Sequence, residues 1–339
     1  TTSKQTTGFM NLSYSYDNIG NITGITDYLD STRSQTFTYD NIDRLTQAQS
    51  TAYGTLSYSY NPIGNMTYNS QVGNYAYPTN GIRPHAVTQA GTNTYIYDAN
   101  GNMTSGAGRT ITYNYDNMPT SITKNGATVN STYDYSGQRV KKTVSSTTTV
   151  YIGKLYECTS SVCTKYIFGG SQKIASKKQG VVYYYHTDHL GSSSIITNSS
   201  GSKVEEIYYY PYGGTMIDSG SISVKHKYTS QELDGETGLY YYGARYYDPI
   251  LARFISADTI VPLPFHPQTL NRYAYAYNNP IVLQDLNGHE PDINGYYYQD
   301  FYSLFNYSPY NFNMMTYGQV SADSSGNMNY SSWNPNTGQ

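Results

Sequence analysis

Apolar and polar side chains alternate along most of this chain. Thr36-Phe37-Thr38-Tyr39 and Thr110-Ile111-Thr112-Tyr113-Asn114-Tyr115 place an aromatic or branched residue at every second position. A period of two predicts β-strands with one face buried. Between such runs lie Asp-Asn, Gly-Asn and Asn-Gly pairs, which tolerate positive φ and close tight hairpin turns. Residues 1 to about 150 therefore read as an array of β-hairpins, each too small to bury its apolar face alone.

The array is a repeat. Tyr16-Asp17-Asn18-Ile19-Gly20-Asn21-Ile22-Thr23 returns as Tyr97-Asp98-Ala99-Asn100-Gly101-Asn102-Met103-Thr104, and with Asn for Asp as Tyr60-Asn61-Pro62-Ile63-Gly64-Asn65-Met66-Thr67. Looser copies start at Tyr39-Asp40, Tyr115-Asp116 and Tyr133-Asp134, with a degenerate one near Tyr77-Pro78. The spacing fits a unit of about twenty residues, as in stacked-repeat architectures. A tyrosine recurring at one point of each unit reads as a ladder holding strands in register, in preference to a ligand-binding face. Asn-x-Ser/Thr at Asn21, Asn65 and Asn102 falls inside the repeat phrase and carries little weight as a glycosylation signal.

Composition narrows the function. Only 13% of the residues are charged while 43 are tyrosine, and the formal charge of -3 offers no basic field for phosphate backbones. Nucleic acid is excluded as an expected partner. No apolar run approaches the roughly 20 residues of a membrane-spanning helix. The chain begins within a repeat, and the expectation is a longer parent with further repeats upstream of Thr1.

Cys158 and Cys163 are flanked by strand-like segments. Either a disulfide closes the hairpin, which points to an oxidising compartment, or two reduced thiols sit at a loop. His186, Asp188 and His189 are ligand types for transition metals, but in a strand His186 and Asp188 share one face while His189 points to the other. No metal and no cofactor is expected, and no Ser-His-Asp or phosphate-cradling glycine pattern stands out.

Beyond about 150 the strand pattern persists but the units become individual. Tyr183-Tyr184-Tyr185-His186-Thr187-Asp188-His189-Leu190-Gly191-Ser192, Tyr209-Tyr210-Pro211-Tyr212-Gly213 and Tyr228-Thr229-Ser230-Gln231-Glu232-Leu233-Asp234 follow in order. Then come Thr237-Gly238-Leu239-Tyr240-Tyr241-Tyr242-Gly243-Ala244-Arg245-Tyr246-Tyr247-Asp248-Pro249, Arg253-Phe254-Ile255-Ser256-Ala257-Asp258 and Asn271-Arg272-Tyr273-Ala274-Tyr275-Ala276-Tyr277-Asn278-Asn279-Pro280. This ordered series resembles the C-terminal core of the rearrangement-hotspot (Rhs) and YD-repeat family. The resemblance implies an all-β spiral of YD-repeat hairpins forming part of a hollow shell, with an inward-curling C-terminal core.

On that basis residues 1–150 form the repeat array, 151–288 the core that closes the shell, and 289–339 a variable Tyr- and Asn-rich tail, read as a plug, a truncated passenger or an interaction segment. The implied function is an encapsulating shell of a polymorphic-toxin-like protein, enclosing or presenting a C-terminal passenger. The implied partners are the upstream repeats and delivery region of the parent and the passenger itself. The implied setting is secreted, extracellular or at the cell surface. The alternatives are a surface structural or adhesive protein, whose tail contacts neighbouring copies, and a self-cleaving aspartyl protease at the boundary between core and tail.

For that third activity the resemblance supplies residues. Asp258 matches the family's catalytic aspartate, Arg245 an arginine beside it, and Asp285-Leu286-Asn287-Gly288-His289 the cleavage phrase, with the break after His289. Such chemistry needs a carboxylate to take the proton of a nucleophilic water and a second acid or cation for the carbonyl. The family phrase usually reads Asp-Pro-x-Gly-Leu, so Leu286 and His289 depart from it. Tyr246 stands where cleaving members often carry a second aspartate, so proton transfer would depend on Asp258 alone or on Asp248 two residues further on.

Overall fold

A computed structural model describes residues 8–261 and 267–289, and beyond them only the backbone of the short strands Pro291–Asp292, Gln319–Ala322 and Met328–Ser331. The tail assigned to 289–339 falls almost entirely outside the described residues. Gln319–Ala322 and Met328–Ser331 pair antiparallel within a separate unit, Tyr296–Gln339.

Twenty-two strands, from Leu12–Tyr16 to Thr215–Gly220, form one antiparallel sheet in which each strand pairs with its neighbours in sequence. The strand pairing continues across residue 150 without a break, because a meander needs only period-two alternation and a turn, and the later units keep both. The first and last strands do not pair with one another. Side chains nevertheless bring the two ends of the meander together. Arg33 stacks over the Tyr208 ring at 4.3 Å and pairs with Glu206, and Tyr14 meets His189 edge-on at 5.1 Å. The sheet is thus an open spiral, all-β as the alternation predicts.

The Tyr-Asp step builds each turn. At Asp17, Oδ1 accepts the backbone N–H of Ile19 (3.0 Å) and of Asn21 (2.8 Å), and Asp40 does the same for Ile42 and Arg44, and Asp134 for Ser136 and Gln138. One carboxylate oxygen thereby satisfies two turn donors that no strand would reach. The tyrosine just before it sits at a register shift, between Thr38 and Tyr39, Ser59 and Tyr60, or Thr132 and Tyr133. Such a bulge re-aims its side chain across the sheet.

Several of the repeat tyrosines reach back to the preceding repeat. The hydroxyls of Tyr39, Tyr60, Tyr77 and Tyr133 donate to the carbonyls of Ile22, Leu45, Met66 and Pro119, all at 2.7 Å. Burial pushes the Tyr39 and Tyr60 phenols well above their ordinary pKa, so they stay protonated donors. The ladder is therefore one of hydrogen bonds to backbone rather than of stacked rings. The repeat placed at Tyr115-Asp116 is corrected by the same criterion: Tyr113 donates to Met103 O at 2.8 Å and Asn114 Oδ1 caps the turn, while Tyr115 is fully exposed at the crest. Tyr-Asn-Tyr-Asp offers two registers, and an amide oxygen caps as well as a carboxylate.

In two of the Gly-Asn pairs the asparagine joins one turn to the next. Asn21 Nδ2 donates to Asp17 (3.0 Å) and to Asp43 (2.9 Å), and Asn102 Nδ2 to Asp98 (3.0 Å) and Asn117 (2.8 Å). Asn21, Asn65 and Asn102 are all buried, which removes them as glycan acceptors. Asp188 of the His186-Asp188-His189 group is another turn cap, while the two imidazoles bond separately to Thr197 Oγ1 and Ile281 O. Cys158 and Cys163 face each other across the hairpin of Tyr156–Thr159 and Val162–Gly169 and are joined by a disulfide.

After Gly220 the chain turns inward. Glu232–Asp234, Leu239–Tyr241, Tyr246–Asp248 and Arg253–Phe254 make a second antiparallel sheet. Its aromatics share one buried cluster with the inner face of the large sheet, including Leu45, Ala48, Met66, Ala90 and Met103, none of which has exposed surface. Tyr242 lies edge-on to Tyr247, Phe254 and Tyr275 at 5.6 to 5.7 Å between centroids, contacts each worth roughly 0.5–1.5 kcal/mol beyond burial. Polar bonds fasten the insert to the turns: Asn271 Nδ2 to Gly64 O (2.8 Å), Asn279 Nδ2 to Asn21 Oδ1 (2.9 Å) and Tyr273 OH to Gly101 O (2.7 Å). Gly101 has φ +88, and a Cβ there would meet the Tyr273 hydroxyl at 2.6 Å.

Buried ion pairs complete the attachment. Arg139 bonds Glu232 (2.6 Å) and Asp234 (2.7 Å), Lys142 bonds the same two carboxylates, and Arg109 bonds Asp248 (2.6 Å).

Replacing one clamp tests the ladder. Tyr133→Phe is expected to keep the far-ultraviolet spectrum of the wild type and to lose about 1 kcal/mol of stability in urea titration, whereas Tyr115→Phe, at an exposed crest, is expected to lose nothing measurable.

Candidate functional site

The turn between Leu239–Tyr241 and Tyr246–Asp248 carries Arg245, whose guanidinium is buried against the Phe254 ring, 3.7 Å from Cζ to centroid. Each of its nitrogens is used. Nη2 lies 2.8 Å from Asp258 Oδ2 and 3.3 Å from Asp285 Oδ2, Nη1 donates to Arg272 O at 2.8 Å, and Nε donates to Gly288 O.

Asp258 follows the strand Arg253–Phe254 and is fixed by its own backbone. Its N–H donates to Arg272 O (2.9 Å), and its carbonyl accepts from Arg272 Nη1 (2.8 Å). Its Oδ1 accepts from Ile260 N (2.9 Å) and lies 2.8 Å from His289 Nδ1. Asp285 is buried in the strand Gln284–Asp285, and its Oδ1 accepts the N–H of Asn287 (3.2 Å) and of Gly288 (2.7 Å). A small pocket opens among Arg245, Asp258, Asn271, Arg272, Asp285 and His289.

Two carboxylates thus share one guanidinium. Burial pushes Asp285 up to about 6 from an ordinary 3.8; Arg245 and the Gly288 and Asn287 amides oppose that rise, and the nearby Asp258 charge adds to it. Burial also lowers the Arg245 pKa, against the pull of both aspartates.

The structure brings together Arg245, Asp258, Asp285, Gly288 and His289, and leaves Asp248 elsewhere. Asp248 Oδ2 is bound by Arg109, and its Oδ1 accepts from Ile250 N and Leu251 N at 3.0 and 3.1 Å. The Tyr246 hydroxyl also faces away, toward Tyr133 and Arg139. The second carboxylate beside Asp258 is Asp285, which the sequence places only in the cleavage phrase. Nothing local in the sequence links positions so far apart. Arg272 lies in the Asn271–Pro280 phrase, but nothing in that phrase marks that its carbonyl accepts from Arg245 and its guanidinium donates to Asp258 O.

This geometry, a strand spiral ending in an inward aromatic core, has counterparts. The teneurin YD-shell family signature matches residues 2–281. The chain belongs to the teneurin YD-shell family. The YD-shell chain is 33% identical over 220 residues to the tRNA3(Ser)-specific nuclease WapA of Bacillus spizizenii, covering 60% of this chain and 9% of that protein. It is 36% identical over 113 residues to toxin subunit YenC1 of Yersinia entomophaga, covering 32% of this chain and 11% of that one. Its fold resembles the crystal structure of TcdB2-TccC3-Cdc42, with a TM-score of 0.67 at 22% identity over 83% of this chain and 17% of that chain. The YD-shell chain therefore spans about a tenth of the length of each of these two curated relatives. Among the described residues no helix is long and apolar enough to cross a membrane, and no cluster of His, Cys, Asp and Glu is arranged to hold a metal.

The raised Asp285 pKa has a consequence for stability. Between pH 3.8 and about 6 the native state binds more protons than the unfolded chain, so Asp285 makes stability fall as pH rises, with the full cost reached above pH 6. The stability of wild type relative to Asp285→Asn, measured by urea titration, is expected to decrease from pH 4 to 6 and to be constant from 6.5 to 8.

Proposed function

We propose that this YD-shell segment forms the closing end of a shell in a toxin-like protein, and that the site at its end cuts the chain from the passenger that follows. The observation that carries the reading is the convergence of Asp258, Asp285, Arg245 and the Gly288 carbonyl at the last described turn of the core. The core packs its aromatics against the inner faces of the strands, which suits a wall that shields a passenger and a plug that seals it. The relatives named above are a nuclease and a toxin subunit, which supports a secreted parent with a linked passenger and upstream delivery region. The Cys158–Cys163 disulfide fits an oxidising compartment.

The chemistry follows from the two carboxylates. Asp258, bonded to Arg245, serves as the base that takes a proton from a water in the pocket. Asp285, whose pKa is pushed up to about 6, carries a proton for a larger share of the time and can donate it. Arg245 holds the carbonyl that becomes an oxyanion. No cofactor enters the scheme.

A second reading is favoured by a different observation. Ile19, Ile42, Ile63, Tyr115 and Tyr135 are exposed at turn crests, and an apolar row of this kind suits adhesion between copies of a surface protein.

Intact mass of purified protein, wild type beside Asp258→Asn, separates the readings once circular dichroism shows that both are folded. Self-cleavage requires the wild type to lose the residues beyond the boundary and the variant to lose them at least ~100-fold more slowly. A chain uncut in both, with association that rises with concentration, would favour the adhesive reading.

A further inference from the structure

We propose that Lys173 and His226 form an acid-sensitive catch between the strand wall and the inward-turning core, which holds while both are neutral and loosens as they take up protons. The catch stands apart from the Arg245 site and does not depend on self-cleavage. Residues 221–231 carry the chain from the last wall strand, Thr215–Gly220, to the first strand of the insert, Glu232–Asp234. On the wall side Ser193 Oγ donates to His226 O at 2.8 Å, and on the insert side Leu233 N donates to Lys225 O at 2.9 Å. The His226 imidazole packs edge-on against the Tyr166 ring of the wall, 4.7 Å between centroids.

The same ring meets Lys173, whose Nζ lies 5.3 Å from the Tyr166 centroid and 4.7 Å from that of Tyr185. Lys173 is buried, and its Nζ has no hydrogen-bond partner among the described residues. The charged groups around the two bases are already engaged with one another. Glu157, from Tyr156–Thr159, bonds Lys225 at 3.0 Å, while Glu232 bonds Arg139 at 2.6 Å, Lys142 at 3.1 Å and the Tyr151 hydroxyl at 2.9 Å. Asp234 takes the remaining bonds of Arg139 and Lys142. Three carboxylates, Glu157, Glu232 and Asp234, are thus matched by three cations, Arg139, Lys142 and Lys225. A proton on Lys173 or His226 adds a buried positive charge beyond that balance.

Burial pushes Lys173 down to about 7 from an ordinary 10.5, against the pull of Glu157 and Glu232. Burial, and then the Lys173 charge, hold His226 well below its ordinary 6.5; Lys225 and Arg139 add to the effect and Glu232 opposes it. When residues 221–231 leave the wall, both bases are hydrated and return to their ordinary ranges, so the open form binds more protons than the closed one. Opening is therefore favoured through Lys173 as pH falls from 10.5 to about 7, and through His226 below 6.5. Between pH 8 and 6, Lys173 alone multiplies opening about tenfold.

The test is hydrogen exchange of residues 221–231 in the purified 339-residue chain, read by mass spectrometry at pH 8 and pH 6 with intrinsic exchange rates divided out. The wild type is expected to open at least about tenfold more often at pH 6, and Lys173→Met, once circular dichroism shows it folded, to lose about that factor and keep the part due to His226. An equal rise in Lys173→Met overturns the catch. A rise of the same size in a remote wall strand such as Gln35–Tyr39 means general loosening and also overturns it. So does a wild type whose opening is unchanged between the two pH values, a result that requires no variant.

Discussion

The structure depends on one polar interaction repeated along the chain, the hydrogen bonding of a Tyr-Asp step to backbone. The aspartate closes its own turn by accepting two N–H groups, and the tyrosine spans to a carbonyl of the preceding repeat. A sheet of sequential hairpins has no long-range strand pairing to hold it, so each unit must be tied to the previous one by side chains. Each such bond contributes only about 1 kcal/mol net, but the device recurs at nearly every unit. The bulge that aims the tyrosine also adds twist, so the feature that joins the repeats helps to curve the sheet.

Curvature creates the interior that the core fills. Tyrosine is suited to that interior because its ring supplies apolar area while its hydroxyl finds a partner: Tyr242 with Thr229, Tyr247 with Tyr212 O, Tyr240 with Gly213 O. The few charges are used where wall meets insert, as in Arg139 and Lys142 against Glu232 and Asp234. Buried pairs of this kind add little net stability, but separating them leaves an uncompensated charge at a cost of roughly 3–5 kcal/mol. They therefore act to define a single docking of the core.

At the end of the core the balance is deliberately incomplete. Arg139 and Lys142 meet two carboxylates with two cations, whereas Arg245 alone meets Asp258 and Asp285. Burial is what raises the proton affinity of Asp285, and the neighbouring Asp258 charge adds to it. Two carboxyl groups in contact with one cation, and held in different environments, are an arrangement suited to acid–base work.

Much of this was legible in the sequence. Period-two alternation and turn residues are local, and they determined the strands, the hairpin order and the all-β class; the repeat phrase determined that the strands form one array. The family resemblance named Arg245, Asp258 and Gly288, and the structure brings the three together. The register at Tyr113-Asn114 was not legible, because two overlapping phrases satisfy the pattern and only the reach of a phenol to Met103 O distinguishes them. Nor was the pairing of Asp285 with Asp258, or the loss of Asp248 to Arg109. Charge pairing across a folded core depends on which turns the curved sheet brings together, and no local spacing in the chain encodes that distance. The sequence by itself determined the elements and the side chains they carry, and the tertiary structure decided which of those groups meet.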